Sequence, residues 1–241
     1  LGMDTITAGN LCAFTIEAAR RGKVDTKIDY GDVDAIADLL QKIAGREGIG
    51  DVLSQGIKHA AKKWDLEDIA VHVKGMEPAG YDPRKLKGMG LAYATSDRGA
   101  CHLRATFYKP ELAGMIPPEQ IEGKAELFLE FEDRLTIFDT LVLCRFYRDF
   151  YLWNVLEEVI HKATGLDAGE KALKEKAQAI ATRIRRFNLR EGMQAKDERL
   201  TTALHRPLTD TGQVITEEQL EVMLKEYYQL QGWDETGQLI S

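Results

Sequence analysis

Apolar residues recur at intervals of three and four along most of this chain, which is the spacing of one buried face of an α-helix. One clear run follows Asp32, a good N-cap, and ends at Gly45. Near the C-terminus, Thr216 and Gln219 form a capping box ahead of another run. The pattern therefore predicts an all-α, multi-helical fold. Further helices are expected at 7–21, 51–63, 85–95, 124–137, 150–163 and 173–187, with one short strand at Ala70–Lys74.

Helical periodicity stops at Gly75–Pro83, where two prolines and two glycines fall within nine residues. We expect a domain boundary there. Residues 1–75 would be an incomplete first helical domain, and residues 76–241 a second helical domain that carries the loop around His102 and Cys144. A second irregular stretch, Glu191–Gln213, is expected to wrap over the surface of the second domain.

Charge and cysteine content exclude several classes of function. Lys and Arg number 32 against 39 Asp and Glu, a net charge of -7, so the chain would repel nucleic acid rather than gather it. No apolar run approaches the roughly 18 residues of a membrane span. The three cysteines are widely spaced and form no disulfide or zinc pattern, which favours a reducing, cytoplasmic location. Because the chain opens at Leu1 without an initiator methionine, we also expect a preceding segment.

The densest group of chemically active side chains lies in Ala94–Arg104. Arg98 and Arg104 can bind anionic oxygens, and His102 titrates near neutrality, so this loop is a candidate anion or cofactor cradle. A salt-bridged turn with a structural histidine is the competing interpretation.

Three other features have two interpretations each. Cys144 is either a buried thiol or a ligand of an iron–sulfur cluster whose other ligands lie outside this chain. Tyr81 is either a hydrogen-bond donor to substrate or a packing anchor. The basic stretch Lys171–Arg190 is either a face for an acidic partner or nucleic acid, or the solvated side of a core helix; its apolar stripe favours the last.

Three segments together resemble one family, the tungsten-dependent aldehyde ferredoxin oxidoreductases. They are Gly2–Asn10, the run from Tyr81 through Arg104, and Asp139–Cys144. Their order and separation match, and the resemblance covers essentially the whole chain. It implies the two helical domains that close over a tungsten (occasionally molybdenum) bis-pterin cofactor beside a [4Fe-4S] cluster, on a base formed by an N-terminal sheet domain absent from this sequence.

The resemblance also implies roles for single residues. His102 would relay protons, Tyr81 would polarise a substrate carbonyl, and Cys144 would be the fourth ligand of the cluster. Val142 departs from the glycine expected at its position, which puts close backbone approach there in doubt. The residues expected to contact the cofactor are Met3, Asp4, Arg98, Gly99, Arg104, Asp139, Leu143 and Arg145.

The reaction implied is oxidation of an aldehyde to a carboxylic acid with ferredoxin as electron acceptor. Without the N-terminal domain and three cluster cysteines, the chain alone is expected to be inactive. The same family includes the active-site subunit of benzoyl-CoA-type aromatic reductases, which is one alternative; a cofactor-free helical scaffold or interaction domain is another. No nucleic acid or membrane partner is expected, and whether the protein is a homodimer is open.

Overall fold

The structure, a computed structural model, describes residues 1–240. Within that range the chain is all-α, which confirms the predicted fold class. None of the described helices is both long and apolar enough to cross a bilayer. The helices are α1 Thr5–Arg20, α2 Val33–Gly45, α3 Ile49–Leu53, α4 Ile57–Trp64, α5 Lys87–Thr95, α6 Tyr108–Leu112, α7 Lys124–Thr140, α8 Trp153–Thr164, α9 Glu170–Arg190 and α10 Glu217–Leu230.

The predicted helix starts are confirmed where a side chain caps the helix. The Asp32 carboxylate accepts a hydrogen bond from the Ala35 amide at 3.1 Å. Thr216 and Gln219 exchange side-chain and backbone hydrogen bonds at 3.1 Å each, so the capping box of α10 is confirmed. The single helix expected at 51–63 is wrong: Gly56, at φ 90°, separates α3 from α4.

Two other expectations are corrected. Ala70–Lys74 is not a strand, because Val73 pairs only with Met76 across a tight turn at Lys74 and Gly75 and no further strand extends the bridge. The stretch Glu191–Gln213 does not simply wrap over the surface. It forms two short 3₁₀ turns and inserts three side chains into the interior, those of Glu198, Leu200 and Leu204.

Buried hydrophobic residues form three clusters. One lies among α1 to α4 and extends from Leu11 to Ala70. A second contains side chains of α5, α7 and α10, and a third joins the end of α7 to α8 and α9. Helix α7 contacts α5, α9 and α10, so it is the element around which the second half of the chain is built. The boundary after residue 75 stays a prediction.

A fully buried ion pair fixes the start of α7. The Lys124 ammonium lies 2.6 Å from Glu111 and also donates to the carbonyls of Pro117 and Pro118. The same Glu111 oxygen accepts from the Gly88 amide, at the start of α5, at 2.8 Å. Burial raises the pKa of Glu111 and lowers that of Lys124, while their mutual attraction opposes both shifts. This pair therefore joins α5, α6 and α7 at one point.

The other end of α7 closes in a Schellman motif. The Leu143 amide donates to the Phe138 carbonyl at 2.9 Å, and the Val142 amide donates to the Asp139 carbonyl at 3.1 Å. Leu143 then packs against the third cluster, which contains Phe138. The motif requires a left-handed residue, usually glycine, and here Val142 occupies it at φ 58° with its side chain exposed. The glycine expected at this position therefore matches the backbone that the chain adopts.

Replacing Val142 with glycine should raise the free energy of unfolding by about 1 kcal/mol, because the left-handed strain of valine is removed and little packing is lost. Urea unfolding of the chain followed by circular dichroism measures this. Val33→Gly is the control, since Val33 is also exposed but has helical backbone angles, and glycine there should not stabilise. An unchanged or lower stability of Val142→Gly would contradict the account.

Candidate functional site

The loop after α5 is held in shape by its own side chains. Arg98 donates to the Cys101 sulfur at 2.9 Å, and the Leu103 amide approaches the same sulfur at 3.4 Å. Gly99 adopts φ 120°, and a Cβ there would lie 2.6 Å from the Val73 carbonyl oxygen. Only glycine therefore lets this loop approach the Val73–Met76 turn so closely.

Arg104 connects that loop to the end of α7. Its guanidinium binds both carboxylate oxygens of Asp97, at 2.8 and 3.0 Å, on one edge. From another nitrogen it donates to Asp139 at 2.9 Å. The bidentate geometry fixes the plane of the guanidinium, as is typical of arginine–carboxylate pairs.

Arg145 donates to the same carboxylate oxygen as Arg104. It donates to Asp139 at 2.6 Å, to the Arg104 carbonyl at 3.2 Å, and to the Leu103 carbonyl. One carboxylate therefore receives two guanidiniums, and its side chain remains 43% exposed. We call Asp97, Arg104, Asp139 and Arg145 the Asp139 network.

Cys144 directly precedes Arg145 and is exposed, whereas Cys12 and Cys101 are buried. The interpretation of Cys144 as a buried thiol is therefore wrong. Its neighbours in the segment after α7 are exposed apolar side chains, including Phe146 and Phe150. Residues 1–240 contain no group of three or more side chains able to hold a metal ion, so this part of the chain offers Cys144 as a single ligand only.

The aromatic rings of Tyr81 and His102 lie near each other. The Tyr81 ring stacks on Tyr108 with centroids 3.8 Å apart, and His102 lies 5.8 Å from Tyr81 and 6.4 Å from Tyr108. Burial lowers the pKa of His102 below its ordinary value, and the positive charge of Arg98 lowers it further. The histidine is therefore neutral near pH 7 and able to accept a proton. Burial raises the pKa of Tyr81, so its hydroxyl stays protonated.

Met3 and Asp4 lie in the other part of the structure. Asp4 caps α1 by accepting from the Thr7 amide at 2.8 Å, and Met3 packs against the cluster of α1 to α4. Among the described residues, neither hydrogen-bonds to the Asp139 network or to His102. The start of α1 is instead held by Glu77, which accepts from the Thr7 hydroxyl at 2.9 Å.

Sequence reasoning missed three residues beside this site. Tyr108 is the first residue of α6 and follows His102 by six residues. This short spacing is the sequence feature that could have placed it near His102. Buried Arg148 donates to the Arg145 carbonyl at 2.7 Å. Glu132 lines a cavity of about 150 Å³ together with three members of the Asp139 network, and burial raises its pKa to about 8. Nothing in the local sequence around Glu132 or Arg148 indicates these positions.

The chemistry of the side chains in this region fits a large, polar, anionic cofactor. Guanidiniums bind phosphate and other oxyanions, and an exposed carboxylate accepts hydrogen bonds from amino groups of a heterocycle. An exposed thiol five residues from Asp139 adds a ligand suited to iron. A neutral imidazole and a protonated phenol lie beside one another at 5.8 Å.

Curated relatives match nearly the whole chain. A tungsten-containing aldehyde ferredoxin oxidoreductase from Pyrococcus furiosus is 29% identical over 252 residues, covering 99% of this chain and 42% of the relative. The enzyme of the same description from Pyrococcus abyssi is 30% identical with the same coverage. A WOR-like subunit of an aliphatic sulfonate oxidoreductase from Pyrococcus furiosus is 28% identical, covering 98% of this chain and 39% of that protein. The chain thus spans about two fifths of the length of these relatives.

A solved structure shares the fold. The chain superposes with a TM-score of 0.69 and 20% identity on 43% of a chain from the active-site complex of a benzoyl-coenzyme A reductase with 1,5-dienoyl-CoA, covering 99% of this chain. The family model described as aldehyde ferredoxin oxidoreductase, domains 2 and 3, matches residues 1–240. The chain therefore belongs to the aldehyde ferredoxin oxidoreductase family and corresponds to its domains 2 and 3.

Proposed function

We propose that this chain is the helical part of a tungsten (or molybdenum) bis-pterin oxidoreductase that converts aldehydes to carboxylic acids with ferredoxin as electron acceptor. The observation that carries the proposal is the Asp139 network. It connects the loop that bears Arg98, Gly99 and His102 to the segment that bears Cys144, and two relatives of the chain are described as tungsten-containing.

Side chains of the candidate site bind the cofactor in this proposal. Asp139 accepts hydrogen bonds from amino groups of a pterin, and the guanidiniums of Arg98, Arg104 and Arg145 bind its oxygens and phosphate. Cys144 is the ligand that this chain gives to a [4Fe-4S] cluster, whose remaining ligands come from outside it. The family resemblance also implies that Met3, Asp4, Gly99 and Leu143 line the cofactor, with Met3 and Asp4 approaching it from the start of α1.

When bound, the metal, pterin and cluster supply the two-electron redox chemistry that amino-acid side chains lack. An aldehyde and water then give a carboxylic acid, two protons and two electrons, and the electrons leave to ferredoxin. Tyr81 donates a hydrogen bond to the carbonyl oxygen, and neutral His102 accepts a proton as water adds. Stacking on Tyr108 limits the movement of the phenol. The chain alone lacks most of the cluster ligands and should not turn over.

The assembled enzyme, meaning this chain together with the part of its relatives that it does not span, should reduce a viologen dye only when aldehyde is added. Elemental analysis of the same sample should find tungsten or molybdenum and iron. Aromatic-thioester-dependent oxidation of reduced viologen, without aldehyde activity, would instead indicate an aromatic reductase. An assembly with neither metal nor iron would support the scaffold interpretation and contradict the proposal.

His102→Ala in the assembled enzyme should remove at least about 99% of aldehyde turnover, because a positioned general base contributes about 10²-fold or more. Tungsten and iron contents should stay at wild-type levels. His161→Ala, at an exposed histidine of α8, is the matched control and should leave turnover unchanged. Wild-type turnover in His102→Ala would remove this histidine from the mechanism.

A further inference from the structure

One face of α9 is basic, exposed and without a partner in the described structure. Along it, charged and aromatic side chains recur at helical spacing, and all of them are exposed. They are Lys176, Arg183, Arg186, Phe187 and Arg190. Of these, Arg190 pairs with Glu191 and lies over the Phe187 ring at 5.2 Å. Lys176, Arg183 and Arg186 form no ion pair within residues 1–240. We call these five residues the α9 basic face.

The charge of this helix opposes that of the rest of the chain. α9 carries seven basic and two acidic residues, a net of +5, whereas the whole chain is -7, so the remaining residues total -12. In a chain that carries so much negative charge, one concentrated positive face attracts an acidic surface rather than a random neighbour. Arginine and aromatic residues are also enriched in protein interfaces.

The apolar stripe of α9 does not stay buried to its end. Leu173 and Ala177 are buried in the third cluster, and the interpretation of α9 as a core helix holds there. Arg185 is buried too, bound to Glu198 at 2.9 and 2.7 Å, so it is not one of the solvated charges. Phe187 is nevertheless 54% exposed, although it continues the predicted core stripe. An aromatic ring therefore lies in solvent among three arginines.

The same end of α9 is continuous with the candidate site. The Asn188 side chain donates to the Asp97 carbonyl at 2.9 Å. Ile184 lines the cavity that also contains Arg104 and Asp139. Cys144 follows Asp139 by five residues. The C-terminal turn of α9, where the basic face ends, therefore contacts the loop that bears Asp97.

We propose that the α9 basic face is the docking surface for an acidic electron-carrier protein of the ferredoxin class. This inference rests on the proposed function, which requires electrons to leave the enzyme to such a carrier. Phe187 provides the apolar centre, and Arg183, Arg186 and Arg190 provide the charged rim that steers and orients the partner.

The test uses Arg183→Glu with Arg186→Glu in the assembled enzyme. The KM for ferredoxin at low ionic strength should rise by about tenfold or more, since reversed rim charges slow association. Aldehyde-dependent viologen reduction should stay at the wild-type rate, because the dye needs no docking surface. Added salt should raise the wild-type KM and leave that of the variant nearly constant.

Two controls distinguish an effect of this particular surface from an effect of the net charge of the protein. Lys62→Glu with Lys63→Glu on α4 changes the net charge equally at another exposed site and should leave the ferredoxin KM unchanged. Arg183→Lys with Arg186→Lys keeps the charge and should retain a near-wild-type KM. Direct titration with oxidised ferredoxin measures binding even in an enzyme with no aldehyde activity. Failure of the proposed function can therefore be distinguished from failure of the docking surface.

Three results would overturn the inference. The first is an unchanged ferredoxin KM and affinity in the Arg183/Arg186 reversal. The second is loss of tungsten or of assembly in that variant, which would make the face an interface with the rest of the enzyme. The third is loss of binding to a short DNA duplex with ferredoxin affinity intact, which would assign the face to nucleic acid.

Discussion

The site depends on a single carboxylate shared by two arginines. Asp139 lies in the last turn of α7, and the buried Lys124–Glu111 pair fixes the start of this helix. The packing of α7 in the core therefore sets the position of Asp139. Arg104 then orients the loop that bears His102, and Arg145 orients the segment that bears Cys144. The partly exposed carboxylate is held by charge-assisted hydrogen bonds but keeps surface for a ligand. Two chain segments about 40 residues apart are thereby kept at one place.

Local chemistry explains what the sequence predicts well. Helices with a strong cap, such as those after Asp32 and Thr216, lie where expected because the cap itself fixes the boundary. The family resemblance gives His102 and Tyr81 a role each, and their ring centroids lie 5.8 Å apart in the structure. The resemblance also flagged Val142, and the structure gives the reason: the Schellman motif that ends α7 places this residue in the left-handed region.

What sequence reasoning missed depends on distant contacts. Cys144 is exposed, and the next residue, Arg145, bonds to a loop about 40 residues away that no local sequence pattern indicates. Glu198 is buried because Arg185 and Tyr228 bind it, so a stretch that resembles a surface loop enters the interior. The isolated bridge at Val73 has the composition of a strand but no neighbouring strand with which to pair. None of these contacts can be read from the residues that are close in sequence.

The account is tested most directly by the metal content of Asp139→Asn in the assembled enzyme. A neutral amide lacks the negative charge that strengthens the bonds from both guanidiniums, which share one Asp139 oxygen, so the variant should lose most of its tungsten while its helical circular dichroism stays unchanged. Asp38→Asn, which alters an exposed pair with Lys42 on α2, should keep the full metal content. Full tungsten occupancy in Asp139→Asn would contradict the central claim that this carboxylate organises the cofactor site.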